Sequence, residues 1–176
     1  MSERSGSVLR CCGVVAFAVI LVFTASACGP VRARLLSSTT STASAPPNAT
    51  ERRFIDGVNT FRAAHGLRAL SAQANLEDKA RLWAAWMARG NCGRGANGTP
   101  KICHSNLPSG ITVRWSLLEE NVGAASPASN VAGIITAFEH SAEHAANMLN
   151  TRITSIGAGV AYAGNVVFVA EEFMAQ

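Results

Sequence analysis

The chain of 176 residues is short of charge and short of aromatic rings. Charged residues make up 15% and aromatics 6%, with a single tyrosine, Tyr162. Lysine is scarcer still: of 15 basic residues only Lys79 and Lys101 are not arginine. The basic residues are scattered and no aromatics interleave with them, so the electrostatic footprint of a nucleic-acid binder is missing. There is no Gly-x-Ser-x-Gly, so the nucleophile elbow of the serine hydrolases is absent. No cysteine pair sits at the short spacing of thiolate zinc sites. No internal repeat is found. Hydrophobic residues, in contrast, reach 48%, enough to build a core for one domain plus extras.

The N-terminus reads as an export signal. Arg4 and Arg10 precede an apolar run from Gly13 to Phe23, followed by Ala25-Ser26-Ala27-Cys28. Small residues directly before a cysteine resemble a bacterial lipobox, which would make Cys28 the lipidated residue and tether the chain to a membrane. Plain cleavage after the small residues is a second reading. An uncleaved anchor is a third, although Thr24, Ser26, Gly29 and Pro30 dilute the roughly 20 apolar residues that a span needs. All three readings place the remainder outside the cytoplasm, as a secreted or cell-envelope protein, because the arginines favour an inside N-terminus. The expected organisation is a signal with lipobox over 1–28, a Ser/Thr/Pro/Ala-rich linker over 29–50 and a domain over 51–176. The linker cannot bury enough surface to offset its ordering entropy.

Export decides the cysteines. Cys11 and Cys12 belong to the targeting segment and Cys28 is the lipid candidate. Cys92 and Cys103 remain, in an oxidising setting, and are expected to be bonded. The short loop they close implies about 3 kcal/mol of stabilisation or slightly less.

Apolar periodicity predicts a first helix over 51–65, with Thr50 at its start, Gly66 at its end and His65 in its last turn. A second helix is expected over 72–89, capped by Ser71, with Trp83, Met87 and Trp86 read as core. The segment 91–116 reads as irregular. A third helix starts near Asn130 and breaks near Ser141. Alternation at Ile156, Ala158, Val160 and Tyr162, then Ala163-Gly164-Asn165, predicts a closing hairpin that returns to Phe173.

Groups able to titrate concentrate in two places. One is the stretch Cys103-His104-Ser105 to Leu118-Glu119-Glu120-Asn121-Val122-Gly123; the other is His140-Ser141-Ala142-Glu143-His144. These stretches, in this order, resemble the CAP superfamily of cysteine-rich secretory, antigen five and pathogenesis-related proteins, here as a bacterial exported member. The resemblance runs from about Phe54 to Met174. It begins with Val58-Asn59-Thr60-Phe61-Arg62-Ala63-Ala64-His65-Gly66-Leu67 and includes Ala80 and Trp83. It continues through His104-Ser105, Glu120-Asn121-Val122 and His144-Ala145-Ala146-Asn147-Met148-Leu149-Asn150, and ends at Ile156-Gly157-Ala158-Gly159-Val160-Ala161 and the hairpin.

The resemblance implies an α+β fold, a three-layer α-β-α sandwich around a small antiparallel sheet. It implies a cleft lined by two histidines and two acids. His104, Glu120 and His144 match three of these, and Glu139 is the expected fourth. The chain departs from the family pattern at Ala142-Glu143 before His144, at Glu119 before Glu120-Asn121, and at Phe138 on the third helix.

Three chemistries stand open for this set. His104, Glu120 and His144 can hold a divalent metal such as zinc with an open position. They can transfer protons. Or they can form a hydrogen-bonded cluster that pins loops to the core. The resemblance supports an extracytoplasmic ligand-binding or interaction module without naming its ligand; a lipid or another cell-envelope component is one candidate. A competing enzyme reading takes His140, Glu143 and His144 as the His-x-x-Glu-His motif of a zinc-dependent protease.

Overall fold

A computed structural model describes residues 45–176. The expected export segment with Cys28, and the linker as far as residue 44, lie outside the described residues. The first helix, α1, spans Ala49–Ala64 and starts earlier than the expected 51. Its cap is Asn48, not Thr50. The Asn48 side chain accepts the Thr50 and Glu51 N–H groups at 2.9 and 3.1 Å, and the Glu51 carboxylate accepts the Asn48 N–H at 2.8 Å. This reciprocal box satisfies donors that Thr50, already inside the helix, cannot reach. At the other end His65 holds the Phe61 carbonyl through Nδ1 at 2.8 Å, the local role its position suggests.

The second helix, α2, spans Ala74–Ala88 and is capped by Gln73, whose side-chain oxygen accepts the Leu76 N–H at 2.8 Å. Ser71 is not its cap. Ser71–Ala72 instead form a short strand, β1. Then follow β2 (Leu117–Ala125), α3 (Val131–His140), α4 (Ala142–Leu149), β3 (Ser155–Ala163) and β4 (Val166–Ala175). The sheet order is β1-β3-β4-β2. β1 runs parallel to β3, and the other neighbours are antiparallel.

β4 lies inside the sheet and every residue from Val167 to Ala175 is buried. Alternation sends Phe168, Ala170, Glu172 and Met174 towards α2. There they meet Leu76, Ala80 and Met87. Val167, Val169, Phe173 and Ala175 face the opposite layer and pack with Phe54, Val58, Val131, Ile134, Phe138 and Met148 from α1, α3 and α4. The architecture is the three-layer α-β-α sandwich.

Two glycines set how close α2 comes. A Cβ at Gly157 would lie 2.3 Å from the Glu77 backbone nitrogen, and one at Gly159 would lie 2.1 Å from that of Arg81. The helix backbone therefore rests directly on β3. A helix seated that closely buries a narrow stripe. Ala80, Ala84 and Met87 are inside, while Trp86 is 44% exposed. Trp86 is thus not core, as its helical spacing suggested. It stacks on Trp83 at the outer face, with ring centroids 6.1 Å apart.

Candidate functional site

His104 is placed by its backbone first. Cys92 and Cys103 form a disulfide, with Cα atoms 5.8 Å apart, tying the loop to the end of α2. Trp83 Nε1 donates to the Cys103 carbonyl at 2.8 Å. His104 Nδ1 then donates to Glu120 Oε1 on β2 at 2.8 Å, and the Ser105 N–H donates to the same oxygen at 2.8 Å. The two partners differ sharply in exposure: the His104 side chain is 64% exposed and that of Glu120 only 1%. An outward ring is thus held by a carboxylate rooted in the protein.

Beneath Glu120 lies a cation that the sequence reading missed. Lys79, buried on α2, donates to Glu172 Oε1 at 2.7 Å and to the Ser105 hydroxyl, and lies 3.8 Å from Glu120 Oε2. Glu172 stands directly opposite Glu120 in the β2–β4 ladder, on the same face. Burial, and then the neighbouring Glu120 charge, push the Glu172 carboxyl up to about 8 against the opposing pull of Lys79. At neutral pH the Glu172 carboxyl therefore keeps its proton.

The opposite face of β2 anchors α4. Asn121, fully buried, donates to Glu171 Oε2 at 3.1 Å and to the His144 carbonyl at 3.4 Å. It accepts from Asn147 Nδ2 at 3.0 Å, and Asn147 also donates to the Glu120 carbonyl at 3.1 Å. Glu171 has only the Asn121 amide to offset burial among apolar residues, and its carboxyl rises to about 8. Glu119 accepts from Asn150 Nδ2 at 2.7 Å, leaving its other oxygen buried without a partner.

The expected site residues are therefore only partly brought together. His104 and Glu120 are in contact. His144 packs its ring on Phe138, centroids 4.6 Å apart, and its Nδ1 is buried without a hydrogen-bond partner. Burial, and secondarily the charge of His104, hold His144 below its ordinary value; Glu143 opposes this. No hydrogen bond joins His144 to His104 or Glu120. The two lie in different concavities: His104 and Glu120 in one of about 310 Å³, His144 in another with Phe138 and Ile134. Glu139, half-buried on α3, makes no hydrogen bond or ion pair with any of them. The second acid beside Glu120 is Glu172.

Among the described residues no three His, Cys, Asp or Glu side chains are arranged to hold a metal ion. As placed, the trio does not fit one. The His-x-x-Glu-His reading meets a second obstacle. Ser141 is extended (φ −91°, ψ 123°), so α3 ends at His140 and α4 begins after it. His140 and His144 do not share the continuous helix on which that motif depends.

What the His104 cleft offers is acceptors. With Nδ1 committed to Glu120, His104 keeps Nε2 without a protein partner among the described residues. Ser105 and Glu119 stand at its rim, and Leu107 and Leu118 line the floor. Lys79, Asn121, Asn147 and Glu172 are the functional neighbours that sequence reasoning missed. The sequence shows Glu171-Glu172 as two acids inside an otherwise apolar strand, but not which partners they meet.

Residues 55–174 match the model of the Cysteine-rich secretory protein family, CAP. An outer surface protein of Borrelia burgdorferi superposes with a TM-score of 0.59 at 16% identity, covering 75% of this chain and 96% of that one. An extracellular protein of Bacillus anthracis containing an SCP domain gives 0.58 at 21% identity, over 76% of this chain and 45% of that one. The venom allergen-like protein 4 of Schistosoma mansoni gives 0.56 at 13%, over 73% and 90%. No curated protein sequence matches the chain.

Proposed function

From the premise that the chain belongs to the cysteine-rich secretory protein family, we propose that it works outside the cytoplasm as a binding module, not as an enzyme. Its cleft, with His104 above Glu120, takes a donor-bearing group of a cell-envelope component. One observation carries this reading: an exposed imidazole fixed from below by a buried carboxylate, its second nitrogen left free. A histidine serving only to satisfy the core would bury its ring. An acceptor-rich cleft with an apolar floor suits hydroxyl, amide or ammonium donors on an amphipathic molecule.

Export belongs to the same proposal. It rests on the N-terminal arginines, the apolar run and Cys28, and it accords with the outer-surface Borrelia relative and the extracellular Bacillus one. Lipidation at Cys28 is tested by fatty-acid labelling, which Cys28→Ala should abolish. Metal binding by His104, Glu120 and His144 is not part of the proposal, and no observation favours the protease reading.

The test is calorimetric titration of the full chain with phosphatidylethanolamine vesicles and, separately, with chitin oligosaccharides, beside His104→Ala. At least one probe should bind, and His104→Ala should weaken it about tenfold, as expected for one lost hydrogen bond of about 1.4 kcal/mol. Binding of neither probe, or equal binding by the variant, contradicts a cleft centred on His104.

A further inference from the structure

Away from the cleft, the C-terminal end of α1 carries a buried cation without an acid. Arg62 is 3% exposed. Its Nε donates to the Arg68 carbonyl at 2.8 Å, and its Nη1 to the carbonyls of Met148 and Asn150 at 2.7 and 3.1 Å. Every partner is a neutral carbonyl. These bonds satisfy donors but leave the net charge uncompensated, and burial pulls the guanidinium below its ordinary value.

Arg81 shows what the same chain does elsewhere. Its guanidinium meets both Glu51 oxygens at 3.0 Å and lies 3.6 Å from Glu77. Arg81 is the more exposed of the two, yet it holds the carboxylates; Arg62 holds none.

Arg62 also borders a cavity of about 370 Å³, shared with Arg68, Ser71, Thr151 and Thr154. No acidic side chain lines it. Arg62 Nη2 has no hydrogen-bond partner among the described residues. Among the described residues Arg68 makes no ion pair, and the Ser71 and Thr151 side-chain hydroxyls make no hydrogen bond.

We propose that this cavity is an oxyanion site that takes a phosphate group. Two guanidinium groups would supply charge and two hydroxyls further donors. A carboxylate offers two oxygens in one plane. A tetrahedral phosphate presents oxygens in several directions, which suits donors contributed by α1, the following loop, β1 and the α4–β3 connection. Guanidinium is the side chain best matched to that chemistry. The bound anion supplies the countercharge that Arg62 lacks.

The experiment is calorimetric titration of the full chain with inorganic phosphate, at matched ionic strength against sodium chloride. A second arm uses phosphatidylcholine vesicles with and without phosphatidic acid. Arg62→Ala removes three structural bonds and is expected to unfold, so the diagnostic variant is the exposed Arg68→Ala. Phosphate should bind the wild type, chloride should not replace it, and Arg68→Ala should weaken binding about tenfold, the loss of one charge-assisted contact. Binding of phosphatidic acid vesicles alone would support the site with a lipid headgroup as the phosphate source. Free phosphate alone would support a soluble one. Equal binding by Arg68→Ala, equivalence of chloride, or no binding in either arm overturns the proposal.

Discussion

Glu171 and Glu172 are neighbours on β4, equally buried at 1% exposure, and both carboxyls are pushed up to about 8. Alternation sends them to opposite layers, and there their situations diverge. Glu171 is enclosed with the larger apolar cluster and meets one amide, Asn121. Glu172 meets Lys79 and stands opposite Glu120, whose other oxygen holds His104. One glutamate ends in the core; the other is the root of a chain that reaches the surface. Burial alone does not mark a functional group. What its partners connect to does.

The largest effect is expected from cutting the Glu172 side. Lys79→Ala leaves Glu120 and Glu172 without their buried cation and should cost about 3–5 kcal/mol in urea denaturation, the usual cost of removing one partner of a buried pair. Glu171→Gln, which keeps the hydrogen-bonding shape of a protonated acid, should cost under about 1 kcal/mol. Equal losses would erase the distinction between the two faces. Next comes the disulfide. Reducing Cys92–Cys103 should cost about 2–3 kcal/mol and loosen the loop that carries His104, read as faster amide exchange at His104 and Ser105.

Between the ordinary carboxyl value of 4.5 and about 8, folded Glu171 and Glu172 hold protons that the unfolded chain has released. Their contribution to stability is present in full below about 4.5 and is lost as pH rises to about 8. His144 works in the other direction. Its value is held below 6.5, so its contribution is present above 6.5 and lost as pH falls through the lowered value. Urea midpoints across that range should decline towards about pH 8, and Glu171→Gln should remove its share of the slope. A flat profile in both proteins would show that neither acid is protonated in the fold. The smallest effect concerns zinc. No heat that depends on both His104 and His144 is expected, because the two occupy separate concavities. Heat lost in both alanine variants would mean that the histidines rearrange into a metal centre.

Most of the architecture was legible where pattern and packing agree. Phe54 and Val58 marked α1, Asn130 and Ser141 marked the limits of α3, and Gly164, with φ +58°, turned the hairpin. β2 gave no comparable signal. Its buried positions include Glu120 and Asn121, so the apolar alternation that betrays a strand is broken by the residues that matter most. Trp86 misled for a related reason. Helical spacing states which residues share a face, but the width of the buried stripe was set by Gly157 and Gly159 on another element. In the site, His104 and Glu120 were readable as a pair. Lys79 and Glu172 were not, since a lone lysine and a strand glutamate acquire meaning only through the β2–β4 register.

The account rests on His104 being an exposed ring held in one orientation by Glu120, with Nε2 free for a ligand. Nitrogen-15 NMR of the imidazoles reads this directly. Wherever the His104 ring is neutral, its proton should sit on Nδ1, and Glu120→Ala should release it into the mixed tautomers of a free histidine. A wild-type His104 that already averages between tautomers, or that carries its proton on Nε2, would contradict the claim.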